Sequence, residues 1–453
     1  MPRLQLWVVL VLLVAYRAYG FLPLPYPVDV VEDESQVGSE EIRPREIQGY
    51  AELWSAGQLR EMELPHFESG ADVLGYKPGE SFVVPPELKD RVEFWKKIYS
   101  EYTSRQALLH DSEHPEIIYE VVDISDIVQD GKASDRQKVK ALKKVMKGPR
   151  EILQAQLKKL QTLQDNPVTI PGELFPLFKK FEGVNDPKKF ERASKHIRMQ
   201  VGQRDRIVAG FLYGGRYFNK MMEIFAQEKM PSELTRLTLV ESAFNLAARS
   251  KVGASGVWQF MRYTGKKFLR IDRAIDERND PLAATWAAAQ LLKDNYQTLG
   301  SWPLALTAYN HGREGMSRAV REVGSTELID IIRKYKARNF GFASSNFYSE
   351  FLAVLEVERE YRKYFGKLMV DPPIQFEEFV VPDNSRLMEV ANVCSIDKNE
   401  LTQLNPALTD WVVTGKGFIP KGFGLKVPPG KLQACKDGSS KLSYLSSRRG
   451  QHG

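Results

Sequence analysis

Asp280-Pro281 opens a stretch that fits best in a close-packed helix. Aspartate is a favoured helix N-cap, and proline suits the first helical position, where no N–H is needed. The helix then runs through Ala283, Ala284, Ala287, Ala288 and Ala289. Side chains this small let a second helix approach closely. The segment 302–311 also reads as a helix, ending in Ala-Tyr-Asn-His-Gly. Further upstream, Leu153, Leu157, Leu160 and Leu163 fall at i, i+4, i+7 and i+10, an amphipathic helical stripe. The expected fold class is therefore mainly α.

A chain of 453 residues exceeds what one hydrophobic core usually serves, so two to four domains are expected. Residues 1–20 read as a signal peptide. Arg3 supplies the positive start, Leu4 to Ala15 the apolar run, and Ala18-Tyr-Gly20 the small-x-small cleavage site. That run is short for a bilayer-spanning helix, and no later segment is long and apolar enough. No stable membrane span is expected after cleavage. Residues 21–85 carry scattered Pro and Gly with an acidic cluster, and read as an extended arm or linker. Residues 86–195 read as a helical accessory region, residues 196–370 as the chemically interesting domain, and residues 374–430 as a small α+β unit. In that unit two short strands near 376–381 and 423–427 enclose two helices, a βααβ order. The tail 436–453, rich in Ser, Gly and Arg, reads as disordered.

The net charge of +6 is too mild for a nucleic-acid binder. It suits an acidic polymer, and an ordinary solvated surface accounts for it equally well. There are two cysteines, Cys394 and Cys435, and no CxxC or HExxH, so no ready-made metal or redox site is expected and no cofactor is implied. The two cysteines could pair in an oxidising compartment or remain thiols.

Pro231-Ser-Glu-Leu-Thr-Arg-Leu-Thr-Leu-Val-Glu241 carries the chemistry. On one helix, Leu234, Leu237 and Glu241 would share a face, so the carboxyl would project from the apolar side. Burial raises a carboxyl pKa toward the value that a general acid needs near neutrality. The next motif, Ser250-Lys-Val-Gly-Ala-Ser-Gly-Val-Trp-Gln-Phe-Met261, has two closely spaced glycines. It brings an aromatic, an amide and a thioether within four positions, a mixture that suits a sugar groove and would equally fit a turn with a core tryptophan. Tyr309 and Asn310 put hydrogen-bonding groups at a helix end.

Glu241-Ser-Ala-Phe-Asn245, Gly253-Ala-Ser-Gly-Val-Trp-Gln259 and Ala308-Tyr-Asn310, in this order and spacing, resemble the soluble lytic transglycosylase domain of glycoside hydrolase family 23. Gly202-Gln-Arg-Asp-Arg206 and Pro231-Ser-Glu-Leu234 point to the membrane-bound lytic transglycosylase D type. The resemblance covers residues 195–365 and implies a lysozyme-like helical catalytic domain. Residues 374–430 resemble a divergent LysM domain through Leu387, Ile396, Leu401, Asn405 and Leu425-Lys-Val-Pro428, although Asp383-Asn-Ser-Arg-Leu387 replaces the usual Gly-Asp-Thr-Leu.

Carried over residue by residue, Glu241 matches the catalytic acid/base. Ser250, Gln259 and Met261 match positions lining the glycan groove, Tyr309 matches the tyrosine near the acid, and Asn310 matches a loop support. His311 stands where alanine is usual, and Phe347 stands where a tyrosine is usual, with Tyr348 beside it. The implied activity is cleavage of the β-1,4 bond between N-acetylmuramic acid and N-acetylglucosamine in peptidoglycan glycan strands, leaving 1,6-anhydro-muramic acid ends. The implied location is the periplasm, with secretion as the other destination. Two other readings are a goose-type lysozyme-like hydrolase, which would want a second carboxylate, and a peptidoglycan-binding protein with a decayed site.

Overall fold

The computed structural model describes residues 81–250, 252–368 and 371–450. The expected signal peptide (1–20) and nearly all of the expected arm (21–85) lie outside these residues. The described chain is mostly helical, as its patterning requires, and forms two compact units. One comprises residues 97–204, the other residues 81–96 and 205–450. Among the described residues no helix is long and apolar enough to cross a membrane.

Helix α1 (Lys89–Ser100) begins in the second unit and ends in the first. The first unit then contains β1 (Gln106–Asp111), β2 (Ile118–Asp123), α2 (Ser125–Gln129), α3 (Asp135–Leu163), α4 (Phe175–Lys179), α5 (Lys189–Lys195) and β3 (Ile197–Val201). The strands form an antiparallel sheet in the order β2-β1-β3, with Leu109 opposite both Glu120 and Met199. This corrects the expectation of a wholly helical accessory region. The Ile117-Ile-Tyr-Glu-Val-Val122 run is rich in β-branched and aromatic residues, which favour strands. The leucine stripe does lie on α3. Ser134 and Gln137 close its N-terminus with a capping box, and Leu153, Leu157 and Leu160 pack into one core with Leu109, Phe181, Phe190 and Ile197.

The second unit continues with α6 (Arg204–Gly214), α7 (Phe218–Gln227), α8 (Leu237–Ser242), α9 (Arg262–Gly265), α10 (Pro281–Leu299), α11 (Trp302–His311), α12 (Arg313–Val323), α13 (Leu328–Lys334), α14 (Phe342–Arg359) and α15 (Tyr361–Phe365). Asp280 caps α10 as expected, accepting from the Leu282 and Ala283 amides. Ala284, Ala287, Ala288 and Ala289 are fully buried, and both α7 and α11 pack against this helix. Residues 86–96, expected in the accessory region, belong here, as do residues 81–85 from the end of the expected arm. Phe82 meets Phe351 edge-on at 5.0 Å, and Arg91 and Trp95 both donate to Asn346 Oδ1.

The C-terminal part contains β4 (Glu377–Val380), α16 (Leu387–Cys394), α17 (Lys398–Leu404), α18 (Asp410–Val413) and β5 (Gly424–Val427). The strands pair antiparallel, with Phe379 opposite Leu425, which gives the anticipated strand–helix–helix–strand order with one extra helical turn. Two further helices, α19 (Leu432–Asp437) and α20 (Ser439–Gly450), replace the expected disordered tail. Cys435 forms a disulfide with Cys394, Leu442 is fully buried, and Ser443 donates to Asp383 at 2.6 Å. Those three anchors outweigh the polar composition that suggested disorder.

Candidate active site

Glu241 ends a segment that is not one continuous helix. Ser232–Arg236 is a 3-10 turn, and only Leu237–Ser242 is α-helical. Leu234 and Leu237 are nonetheless fully buried. Beneath them Arg236, itself fully buried, holds Glu358 of α14 at 2.7 Å and lies 4.3 Å from the centre of the Phe218 ring. That ion pair anchors the base of the helix carrying Glu241.

Directly after the helix, Ala243 (φ 48°) and Phe244 (φ 55°) are both left-handed. Such conformations cost non-glycine residues energy and cluster where a site fixes its geometry. Several contacts hold them. Phe244 N–H donates to Thr238 O at 3.1 Å, its ring packs on Tyr217 and Phe218, and Ser242 Oγ donates to Val257 O at 2.9 Å. Gly210 of α6 also comes so close that a Cβ there would meet Ala243 O at 2.8 Å.

The Glu241 side chain is part-buried. Desolvation pushes its carboxyl up to about 8, and among the described residues no donor or cation acts against it. Tyr309, near the end of α11, lies close enough to feel this charge. Burial and then Glu241 raise its phenol well above the usual value. Its hydroxyl donates to Trp258 O at 2.8 Å.

The glycine-rich motif is a tight loop. Gly256 (φ +77°) passes so near Arg278 that a Cβ would sit 1.7 Å from the Arg278 carbonyl oxygen, so only glycine fits. Trp258 is fully buried, stacked on Phe225 at 5.9 Å and donating to Thr285 Oγ1 at 2.9 Å. It is therefore a core residue, not an exposed sugar platform. Gln259, itself left-handed, uses its amide nitrogen on Ala248 O and Gly256 O. Ser250 Oγ accepts from Ala254 N–H at 2.9 Å. Both residues brace the loop. Met261 is exposed at its end. Asn310 is also exposed, and its Oδ1 accepts from Ser344 Oγ at 2.9 Å. His311 lies 3.3 Å from the same hydroxyl through Nδ1, and desolvation lowers its pKa. Tyr348 is buried on α14, its phenol pushed up to about 12 by desolvation.

Each carboxylate between 272 and 280 already has partners. Asp272 accepts from the Ala274 and Ile275 amides and pairs with Arg270. Asp276 pairs with Arg278 at 2.8 Å, Glu277 accepts from the Arg270 amide, and Asp280 caps α10 and pairs with Lys426. Arg278 and Ser242 were not singled out by sequence reasoning. The Asp276-x-Arg278 spacing was a usable signal for an ion pair, whereas nothing in the sequence ties Ser242 to Val257.

Residues 217–332 match the family model described as Transglycosylase SLT domain. Two curated relatives, both called "Membrane-bound lytic murein transglycosylase D", come from Escherichia coli strain K12 and from Escherichia coli O6:H1 strain CFT073. Each is 37% identical over 97 residues, 21% of this chain. The matched stretch spans 22% of the length of each relative.

Proposed function

We propose that this chain, which carries a transglycosylase SLT domain over residues 217–332, is a peptidoglycan lytic transglycosylase with Glu241 as its single acid and base. The observation that carries this reading is the state of Glu241: a carboxyl desolvated to a pKa of about 8, with every carboxylate from 272 to 280 committed elsewhere.

Most glycosidases need a second carboxylate as base or nucleophile. A lytic transglycosylase does not. Protonated Glu241 gives its proton to the oxygen of the β-1,4 bond as the anomeric C1–O bond breaks. The N-acetyl carbonyl of the muramic acid stabilises the developing cation. The C6 hydroxyl of the same sugar attacks C1, and its proton returns to Glu241. The product is a 1,6-anhydro ring, and Glu241 ends in its starting state. The internal nucleophile supplies effective molarity without a positioned water.

In this reading Met261 and Asn310 meet the glycan. Ser250 and Gln259 shape the groove wall through the loop contacts described above, and Tyr309 fixes the loop beside the acid. The unit over residues 374–430 acts as a LysM-like glycan-binding module. The leader segment and the name shared by the relatives support export, with the periplasm as the site of action.

Mass spectrometry of purified peptidoglycan treated with the mature protein or with Glu241→Gln tests the proposal. Anhydro-muramic ends made by the wild type and lost in the variant are the expected result. Reducing ends heavier by one water would instead make the protein a hydrolase, and binding without any product would make it a cell-wall binding protein.

A further inference from the structure

The C-terminal part of the second unit is held along two lines of contact. On one, Asp371 N–H donates to Leu212 O, Ile374 N–H donates to Arg216 O, and Arg216 pairs with Asp371 at 2.7 Å. The Phe376 ring lies 5.3 Å from Lys220 Nζ and 5.2 Å from Lys426 Nζ. On the other, the segment 271–280 is built into the C-terminal core. Ile275 bridges Leu408 in antiparallel fashion. Asp276 N–H donates to Ala407 O at 2.8 Å, and Thr409 N–H donates to Ala274 O at 3.0 Å. Ala274 and Ile275 share one buried cluster with Val390, Leu401 and Leu425. Lys426 reaches Asp280, the cap of α10.

The same segment grips the glycine-rich loop. Arg278, held by Asp276, donates through Nη1 to Gly253 O at 2.8 Å and Phe260 O at 3.1 Å. Ser255 donates to Asn279 at 2.6 Å. Loop backbone packed this tightly moves with its support, since interiors transmit strain. A continuous path therefore runs from Leu408 and Ala407, through Ile275, Asp276 and Arg278, to the 253–260 loop.

We infer that the C-terminal module is a positioning element of the active site. It holds segment 271–280, and through Arg278 the loop carrying Gln259, so the catalytic site is complete only when the module is docked. The turnover part of this inference rests on the proposed activity. The coupling part does not. A module that only tethers the enzyme to polymer would leave cleavage of short soluble glycans untouched. A positioning module would affect them directly.

The test uses full-length Leu408→Ala, which opens the junction from the module side. Leu408→Met serves as the volume-conserving rescue, and Arg278→Lys cuts the path on the loop side. Folding is checked by circular dichroism. Amide hydrogen exchange is followed over residues 253–261, and kcat and KM are measured on a soluble muropeptide tetrasaccharide. In Leu408→Ala and Arg278→Lys, exchange in the loop should rise, and kcat should fall on the order of tenfold with KM nearly unchanged, as expected when reacting groups are misplaced rather than unbound. Leu408→Met should restore both, and sedimentation with sacculi should persist in all three variants. Unchanged loop exchange, or raised exchange with unchanged kcat, overturns the inference. If the wild type cleaves no glycan, the proposed activity fails, and loop exchange alone still decides the coupling.

Discussion

Tyr309 donates its hydroxyl hydrogen to the main-chain carbonyl of Trp258, 2.8 Å away. The single phenolic hydrogen is thereby committed to the glycine-rich loop and is not available to the Glu241 carboxylate. A phenol donating to that carboxylate would favour the ionised form and lower its pKa. Instead, Glu241 is raised by desolvation, with nothing among the described residues opposing it.

Tyr309→Phe should therefore loosen the loop without retuning the acid. Losing one hydrogen bond to a main-chain carbonyl should cost about 1 kcal/mol of stability. Turnover should fall by roughly tenfold through misplacement of the loop. The alkaline pKa in the kcat/KM profile should stay near 8. A large downward move of that pKa would show that Tyr309 tunes the acid, contrary to the geometry.

In the proposed mechanism Glu241 acts first as an acid, and this sets the expected pH dependence of activity. The proton must be present at the start of the reaction, so kcat/KM should decline as pH rises through about 8, the value to which burial pushes the free carboxyl. A rate profile on a soluble substrate between pH 5 and pH 10, a range of about five units around the usual operating region, measures this. Activity that rises steadily through that window would exclude Glu241 as the proton donor.

Stability should respond in the opposite direction from an ordinary paired carboxylate. As pH rises past the unfolded value of 4.5, the unfolded chain loses this proton while the folded chain keeps it until about 8. The unfolded state then binds fewer protons, so the contribution to stability falls across that window. Glu241→Gln removes the effect. The variant should gain about 1–3 kcal/mol relative to wild type between acid and mildly alkaline pH, a range reduced for partial solvent access to the side chain. Urea midpoints at several pH values would reveal it, and a gap that does not widen with pH would contradict the burial of the carboxyl.

Arg236 and Glu358 form a different kind of pair, both almost completely buried. Arg236→Met or Glu358→Leu alone should destabilise the fold by about 3–5 kcal/mol, because the remaining group loses its partner. The Arg236→Met/Glu358→Leu double variant should recover much of that loss. Thermal melts of the wild type, the two single variants and the double variant, taken as a double-mutant cycle, measure the coupling. Additive losses would mean that the two side chains act independently.

Sequence reasoning reached the desolvated setting of Glu241, the Gly256 turn, the Asp280 cap and the buried alanines of α10 because each rests on local chemistry: a motif, a φ requirement, a capping preference, a periodicity. It misread the backbone before Glu241, where a 3-10 turn interrupts the anticipated helix. The burial pattern survived because Leu234 and Leu237 still turn inward. The strand pairing of Leu109 with Met199 was not legible, since register between segments 90 residues apart depends on tertiary packing rather than on neighbouring residues. The ordered tail was missed for a related reason. One disulfide, one buried leucine and one hydrogen bond from Ser443 to Asp383 decide it, and composition averages them away. In the site itself, the residue types were legible but their duties were not. Trp258 proved to be core, and the amide of Gln259 is spent within its own loop.

The isolation of the Glu241 carboxyl has a consequence for any charged molecule that enters the cleft. At neutral pH the group holds its proton, so a cation docking beside it would expel that proton into the buffer. The observed heat of binding of an amine-bearing sugar mimic should then change with the ionisation enthalpy of the buffer, and its affinity should strengthen as pH rises toward 8. A neutral sugar of the same shape should show neither dependence.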